Sequence, residues 1–449
     1  MTYPVAAPLT ATTRRFTPFV LLEWILIPLG LANIMFALPH NVIGDDNNRV
    51  RMLASLLGPG HFLGVKYSLA GPIFSVPLWF LGKAFGNPVG GLLFYDWLLF
   101  AGALSAFYVL LRRRWDTAAL RHFLLLLVAG SMFPRHLLHF GAEAFTNVVV
   151  GLGLTLVGLG LGRAGWVLTV FGSINTPATQ PALVLATLRW IWEQRRVRYV
   201  LIPVAAVVLI GVDTWIRMGS PFHSGYEGDA GLRTIMPYSG LPNFSYPMFF
   251  GLLGLTLSFG KGLLFFAAPL TALPFLNQLG LPQPLRAVLR LWLSFTLGLL
   301  LLYANYWGWY GGVSAGPRYL LFASFPATLL LAQLLIQPAR HWAATFGTLV
   351  LLALSCWTTV ATTVFEQGGT EVCTANNYAL EHLCWFTPEF SVLWNPFVGP
   401  MRSLTHGEWI VLCYEAIAFA MLAAPLIARL AAQVRNRITE LQPTRGWRL

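Results

Sequence analysis

The chain has 449 residues, of which 56% are hydrophobic and only 10% are charged. Soluble domains carry about 25% charged residues, and a water-soluble fold has too little interior to hide so much apolar surface. The composition therefore excludes a soluble globular protein and predicts an all-α, polytopic bundle of transmembrane helices. The formal net charge of +12 comes mostly from short basic clusters between apolar runs, such as 112–114 and 195–196. That placement is typical of cytoplasmic loops of membrane proteins and argues against nucleic-acid binding.

The hydropathy pattern predicts about twelve crossings of the lipid bilayer. The apolar runs lie near 16–38, 89–111, 120–133, 144–161, 166–176, 181–192, 199–216, 262–279, 289–307, 319–336, 343–365 and 409–430. With the basic clusters on the cytoplasmic side, the segments 39–66, 134–143, 220–261, 308–318 and 366–408 face outward. This order requires that 71–86, which two prolines and a lysine interrupt, dips into the membrane without crossing it. If that segment crosses, the next several loops invert.

The first outward segment contains an acidic pair, Asp45 and Asp46, followed by Arg49. A carboxylate just outside the bilayer is a candidate general base for an acceptor hydroxyl. Adjacent carboxylates cannot point the same way on a helix, so one would act and the other would orient. The alternative is a solvated turn that caps a helix over 49–57. Lys66 and Tyr67, near the end of the segment, are further candidate substrate contacts.

The second outward segment contains Arg135, His136, His139 and Glu143 at helical or turn spacing. The two histidines could bind a metal, although no third ligand is evident nearby, or they could bind phosphate together with Arg135. Glu143 begins the next apolar run, where an acid also interacts favourably with the helix dipole. A helix cap with interfacial histidines is the alternative interpretation.

Two later segments place a cation beside glycines at an outward helix end. Lys261 lies between two glycines, which let the backbone approach a ligand closely, although the phosphate-loop pattern GxxxxGK[ST] is absent. Arg318 opens a helix, and a helix N-terminus reinforced by a fixed cation favours an anion. Trp309 and Tyr319 could stack on a sugar ring or an isoprenoid chain. A snorkelling lysine and an ordinary aromatic belt are the alternatives.

Two of the four cysteines share an outward segment. In an oxidising compartment Cys373 and Cys384 could form a disulfide, whereas Cys356 and Cys413 fall in apolar runs and should pack there. No cysteine–histidine spacing suggests zinc. The outward carboxylates could bind a divalent cation, because hard cations prefer oxygen ligands, and the sequence leaves that possibility open.

Taken together, these segments resemble integral membrane glycosyltransferases of the glycosyltransferase-C superfamily. The resemblance rests on their order and on the motifs GPGHFLGVKYSLAGPIFSVPLWFLG, SFGKGLLFFAAPL and WGWYGGVSAGPRYLLFASFP. It implies an inverting transfer of a sugar from a polyprenyl-phosphate donor to a hydroxyl of a glycan, lipid or protein. It also implies a plasma-membrane location, with the active site on the extracytoplasmic side.

The resemblance also implies roles for particular residues. The catalytic acid would be Asp45, with Asp46 as the next candidate, and Glu143 would be the acid of the second outward segment. Many relatives have Asp-Glu at the first position, whereas this chain has Asp-Asp. Relatives often carry a lysine near the junction of the fifth and sixth helices, but the stretch INTPATQP has none. The donor phosphate would then be bound by Lys261, Arg318 and Arg135.

The sequence also predicts how the chain is divided into modules, and it leaves two alternative functions to weigh. We expect an N-terminal transmembrane module over 1–261 and C-terminal helices over 262–449. A transporter or a flippase of a lipid-linked sugar is the main alternative, but it predicts paired broken helices that the two halves lack. Acids in or near apolar runs, at positions 23, 96, 213 and 415, are scattered. A membrane scaffold would not need clustered outward acids and cations.

Overall fold

The computed structural model describes residues 18–42, 44–59, 61–230, 233–312, 315–337, 341–399 and 402–441. Within those residues the chain forms twenty α-helices, six 3-10 helices and no β-strand beyond two isolated bridges. The α-helices are α1 Pro18–Phe36, α2 Asp45–Leu57, α3 Val76–Ala84, α4 Pro88–Leu92, α5 Tyr95–Leu111, α6 Thr117–Ala129, α7 Phe133–His136, α8 Ala142–Gly158, α9 Gly162–Ile174, α10 Gln180–Gln194, α11 Leu201–Met218, α12 Met248–Leu257, α13 Leu263–Phe266, α14 Gln283–Tyr303, α15 Ser324–Ile336, α16 Trp342–Val364, α17 Glu366–Tyr378, α18 Glu381–Phe386, α19 Asn395–Val398 and α20 His406–Leu441. The 3-10 helices are Pro72–Ser75, Pro177–Thr179, Val197–Val200, Ala268–Gln278, Arg318–Ala323 and Pro388–Phe390.

Seven helical segments of the described chain are long and apolar enough to cross a bilayer. They are Pro18–Phe36, Pro88–Leu111, Val197–Met218, Gln283–Tyr303, Arg318–Ile336, Trp342–Val364 and His406–Thr439. Shorter apolar helices, such as α6 and α8, run between the same two ends of the bundle. The predicted all-α, polytopic membrane fold is confirmed.

Hydrogen bonds between loops define the two ends of this bundle. At one end the Tyr95 hydroxyl donates to the Gly71 carbonyl at 2.9 Å, and we call this the Asp45 end because Asp45 lies there. At the other end the Trp115 indole donates to Gln333 Oε1 at 2.9 Å, and we call this the Gln333 end. Within the described residues these ends are joined by long spans and by shorter apolar helices. Passages shorter than a full span rely on their neighbours to cover their ends.

The segment 71–86 enters and leaves at the Asp45 end. It forms the 3-10 helix Pro72–Ser75 and then α3, which folds back against α4 so closely that a Cβ on Gly91 would lie 2.2 Å from the Leu78 carbonyl oxygen. Because Gly71 bonds to Tyr95 at the start of α5, the two ends of the hairpin are neighbours. The predicted order of loops depends on this arrangement.

One apolar core runs through the whole bundle. Phe107, Phe123, Trp292 and Phe325 are fully buried and pack ring against ring, with centroids 5.4–6.2 Å apart. Their helices come from both sides of position 261, so the core joins the two predicted modules. The division into modules stays a prediction.

Candidate active site

A cavity of about 730 Å³ lies at the Asp45 end of the bundle. Its volume is in the range usual for small-molecule sites. The predicted site residues that line it are Asp45, Arg49, Lys66, Tyr67, Glu143, Arg318 and Tyr319. Four separate parts of the sequence therefore converge on one cavity.

Helix α2 turns the two adjacent aspartates in different directions. It begins after Gly44, whose φ of +54° suits a glycine, so both acids lie in its first turn rather than in a turn before position 49. Asp45 lines the cavity, whereas Asp46 is 8% exposed and accepts a hydrogen bond from Arg49 Nη1 at 3.1 Å. Burial raises the pKa of Asp46 to about 7, although the charge of Arg49 opposes the shift. The divergence is that of successive residues on a helix, roughly 100° apart.

Asp45 has two partners at the cavity wall. Its Oδ1 accepts a hydrogen bond from the Tyr67 hydroxyl at 2.5 Å, and its Oδ2 lies 3.9 Å from Arg318 Nη2. Burial raises the pKa of Tyr67, as does the carboxylate beside it, so the phenol remains a donor. The guanidinium of Arg49 packs over one face of the Tyr67 ring, 4.6 Å from its centre. One oxygen of Asp45 is thus fixed, and the other faces the arginine across a gap.

Arg318 lies between two carboxylates. Its Nη1 is 3.8 Å from Glu143 Oε1, its Nη2 is 3.9 Å from Asp45 Oδ2, and its guanidinium lies over the Tyr319 ring. Both ion-pair distances exceed those of a good hydrogen bond. Its Nε is buried and has no hydrogen-bond partner within the described residues. The guanidinium therefore has donors left for an anion.

Lys261 lies behind the cavity wall and supports the loop that precedes Arg318. Its ammonium donates to the carbonyls of Gly312 at 2.8 Å and Gly316 at 3.2 Å, and the residue is 3% exposed. Both glycines have a φ near +70° (72° and 71°), a region that disfavours other residues. Burial lowers the pKa of Lys261 to about 7. Its predicted contact with phosphate therefore has no direct geometric support.

Arg135 and the two histidines of its segment also lie outside the set of cavity-lining residues. Arg135 forms an ion pair with Glu366, whose Oε1 accepts a hydrogen bond from the Ala315 amide at 2.9 Å. Burial lowers the pKa of His136 to about 4 and that of His139 to about 3, so both are neutral at pH 7. Within the described residues no three His, Cys, Asp or Glu side chains form a metal-binding group. Arg135, like Lys261, supports the loop that leads to Arg318.

The two predicted aromatic contacts are placed differently. Trp309 is fully buried, with its ring 5.5 Å from that of Trp385, and a Cβ on Gly254 would press into it. Tyr319 lines the cavity and stacks on Tyr303 with centroids 4.2 Å apart and planes within 5°. Tyr319 can therefore reach a ligand, and Trp309 belongs to the packing behind the wall.

The segment 219–247 contributes lining residues that the sequence analysis did not single out. Tyr226 and Asp229 line the cavity, and Asp229 Oδ2 accepts a hydrogen bond from Lys66 Nζ at 2.6 Å. The Lys66 ammonium also lies 5.1 Å from the centre of the Tyr226 ring. The outward placement of the segment was the one available signal, because no short motif marks these residues.

The segment after α16 contributes two more lining residues, Tyr378 and Glu381. A disulfide joins Cys373 to Cys384 and closes the loop that carries both. Burial raises the pKa of Glu381 to about 7. Only the two cysteines of this segment were predicted to have a role.

Comparison with known proteins gives one structural match. No family model matches the sequence, and no curated protein matches it. The crystal structure of ArnT from Cupriavidus metallidurans bound to undecaprenyl phosphate is similar, with a TM-score of 0.51 and 15% identity over 94% of this chain and 80% of that chain. An identity this low shows the fold alone. The chain thus shares the fold of ArnT, and its long apolar helices make it an all-α, multi-pass membrane protein.

Proposed function

We propose that the chain is an inverting glycosyltransferase that moves a sugar from a polyprenyl-phosphate donor to a hydroxyl acceptor. The observation that carries this proposal is the pair of carboxylates, Asp45 and Glu143, on either side of Arg318 at the wall of one cavity. A base for the acceptor and a cation for the donor phosphate are the two groups that this reaction needs. The fold adds support, because ArnT was crystallised with undecaprenyl phosphate.

Asp45 acts as the general base in this proposal. The acceptor hydroxyl gives its proton to Oδ2 of Asp45 while its oxygen attacks the anomeric carbon of the sugar. The bond between that carbon and the phosphate oxygen breaks, the anomeric configuration inverts, and the lipid phosphate leaves as an anion. Because the leaving group is already anionic, no strong acid has to protonate it. Tyr67 holds the carboxylate in place through its 2.5 Å hydrogen bond.

Arg318 stabilises the departing phosphate in the same scheme. Its two terminal nitrogens offer donors in a planar fork, which suits phosphate oxygens, and Nη2 also donates a 3.4 Å hydrogen bond to the Tyr319 hydroxyl. Lys66 is a second cation at the cavity wall, and a phosphate there would compete with Asp229 for its ammonium. Glu143 keeps the guanidinium oriented, and Tyr319, held between Tyr303 and Arg318, lines the cavity where the sugar would bind.

The cavity faces the extracytoplasmic side in this proposal. The basic cluster 112–114 adjoins Trp115, which lies at the Gln333 end. Arg429, also at that end, donates to the Gln337 carbonyl. Because basic residues concentrate in cytoplasmic loops, the Asp45 end would lie outside, in the plasma membrane of the cell.

The direct test is sugar transfer by purified protein in lipid nanodiscs. The protein is incubated with a radiolabelled polyprenyl-phosphate sugar and a glycolipid acceptor, and the labelled product is counted. Asp45→Asn should lower kcat by about 10²–10⁴-fold, the usual contribution of a general base. The matched control is Asp116→Asn at the Gln333 end, where Asp116 caps α6 through the Ala118 amide. Asparagine caps a helix equally well, so this variant should keep wild-type activity.

Two outcomes would contradict the proposal. Full activity in Asp45→Asn would remove Asp45 from the role of base. Movement of the labelled lipid across a proteoliposome membrane by the wild-type protein, with no sugar transferred, would identify a carrier of lipid-linked sugars instead.

A further inference from the structure

We propose that Asp213 and Arg217, near the end of α11, are positioning residues for the candidate active site. They hold the backbone of 65–69 so that the Tyr67 hydroxyl stays on Asp45. This inference rests on the proposed function and deepens it, because it assigns a reason for a buried ion pair outside the cavity wall.

The Asp213–Arg217 ion pair, which we call the clamp, holds the segment 65–69 at both of its ends. Arg217 Nη1 donates to the Val65 carbonyl at 2.5 Å, and the Leu69 amide donates to Asp213 Oδ1 at 3.2 Å. The two side chains are joined by a hydrogen bond of 2.9 Å from Arg217 Nε to Asp213 Oδ2. The middle residue of the gripped segment is Tyr67, which lines the cavity. The clamp therefore fixes the backbone on both sides of the phenol.

The contact is also tight in the backbone just before the clamp. A Cβ on Gly64 would lie 1.7 Å from the Arg217 carbonyl oxygen, so the chain at 64 rests directly on the end of α11. Arg217 is 5% exposed, and its Nη2 also donates a hydrogen bond to Thr214 Oγ1 at 3.4 Å. Each of the three guanidinium nitrogens of Arg217 has a protein partner, and the residue does not line the cavity. Its effect on a reaction would have to pass through the segment that it holds.

The rest of α11 gives little reason for this charged pair. Only Ala206, Thr214 and Arg217 are buried along the helix, and its remaining surface is largely apolar and open to lipid. Charges at the lipid boundary are costly, and removing one partner of a buried pair is costly as well. Two of the three buried residues of α11, Thr214 and Arg217, thus lie at the end that supports the segment of Tyr67.

The consequence for catalysis follows from where the other groups are anchored. Arg318 is positioned by the loop that Lys261 and Arg135 support. Lys261 donates to carbonyls of that loop, and Arg135 pairs with Glu366, so these contacts do not involve 65–69. Releasing the clamp should free the Tyr67 hydroxyl from Asp45 without disturbing Arg318. We therefore expect Arg217→Gln to lower kcat and also to raise KM for the lipid donor, because Lys66 lies in the released segment. Tyr67→Phe leaves that segment held and should lower kcat alone.

The test is a double-mutant cycle in the transfer assay. Arg217→Gln and Tyr67→Phe should each lower kcat by roughly ten- to a hundredfold, since each removes the same charged hydrogen bond from the base. The double variant should be no slower than the worse single variant, because the two residues act in series. Arg189→Gln is the matched control, since Arg189 forms an i,i+4 pair with Glu193 on neighbouring α10 but lies away from the cavity. It should leave kcat unchanged.

Hydrogen exchange followed by mass spectrometry supplies a readout independent of activity. The peptide containing the Leu69 amide should exchange at least tenfold faster in Arg217→Gln, whereas the peptide from α2 should not change. Unchanged exchange over 65–69, or kcat effects that multiply in the double variant, would overturn the positioning role. A wild-type protein that transfers no sugar would overturn the proposed function, and this would be seen before any variant is compared.

Discussion

The two ends of the bundle use buried polar side chains in opposite ways. At the Gln333 end the contacts of Gln333 close within hydrogen-bond distance: its Oε1 accepts from the Trp115 indole at 2.9 Å, and its Nε2 donates to the Leu279 carbonyl at 2.8 Å. At the Asp45 end the central ion pairs stay open, with Arg318 3.8 and 3.9 Å from its two carboxylates. The first arrangement consumes its donors and acceptors, whereas the second keeps them at a cavity.

The difference separates polar groups that build the fold from polar groups that can act on a ligand. A network whose members satisfy one another stabilises one packing of helices. A cation held near two carboxylates but not bound by them is oriented in advance for a charge that arrives later. Lys261 and Arg318 show that a structural and a ligand-facing polar group can be close neighbours. Lys261 donates hydrogen bonds to loop carbonyls, whereas Arg318 lines the cavity with its carboxylate contacts open.

Among the variants that compare the two ends of the bundle, the largest effect is expected from removing the open cation. Arg318→Gln should lower kcat by about 10²–10³-fold, because it deletes donors that stabilise charge on the departing phosphate. KM for the lipid donor should rise as well, since the same group contacts the phosphate in the ground state. Steady-state transfer kinetics with varied donor would measure both parameters.

The control for this prediction lies at the other end of the bundle. Arg429→Gln removes an arginine whose visible role is a 3.0 Å hydrogen bond to the Gln337 carbonyl. It should change kcat by less than about twofold, because no transition-state contact is lost. Equal losses in the two variants would erase the functional distinction between the ends.

A smaller effect, on stability alone, is expected at the Gln333 end. Gln333→Leu leaves the Trp115 indole without its acceptor, whereas the Leu279 carbonyl keeps a hydrogen bond from the Gln337 side-chain amide. The loss should cost about 2 kcal/mol of unfolding free energy. Thermal unfolding in detergent would measure the loss, and kcat of the folded fraction should be unchanged. Adding Trp115→Phe should recover part of the stability, since removing both partners of a buried bond costs less than removing one. No recovery would mean that packing, not hydrogen bonding, dominates at this end.

Much of the fold could be predicted because lipid imposes strong rules on sequence. Apolar runs, basic loops and the proline-interrupted segment 71–86 were enough to give an all-α bundle with a hairpin at one end. The convergence of Asp45, Glu143 and Arg318 on one cavity was also within reach, because each begins a helix at the predicted outer side. The end of a helix is fixed by local sequence, and sidedness then brings such ends together.

The sequence could not predict which of Lys261, Trp309 and Asp229 line the cavity. A lysine between glycines can contact a phosphate or hold a loop, and the path of the chain through Gly312 decides which. Trp309 lies between two cavity-lining residues, Gly308 and Tyr310, but its own side chain is buried in the core. Asp229 belongs to a long outward segment with no periodic pattern, where position along the chain says little about position in space.

The smallest effect concerns the pH dependence of stability, and it tests whether the Asp45 end keeps a buried acid as well as open ones. Burial raises the pKa of Asp46 to about 7 from its ordinary value of 3.8, so the folded protein binds a proton that the unfolded chain releases. Stability from this group is therefore present at low pH and is lost as pH rises through 7. Between pH 6 and 7 the loss should be about 1 kcal/mol, because this interval spans about one pKa unit. Asp46→Asn cannot titrate and should unfold with a flatter Tm profile over this interval, whereas Asp116→Asn should follow the wild type. A wild-type profile in Asp46→Asn would mean that Asp46 is ionised throughout and that its 3.1 Å contact with Arg49 is a permanent ion pair, like the closed contacts at the Gln333 end.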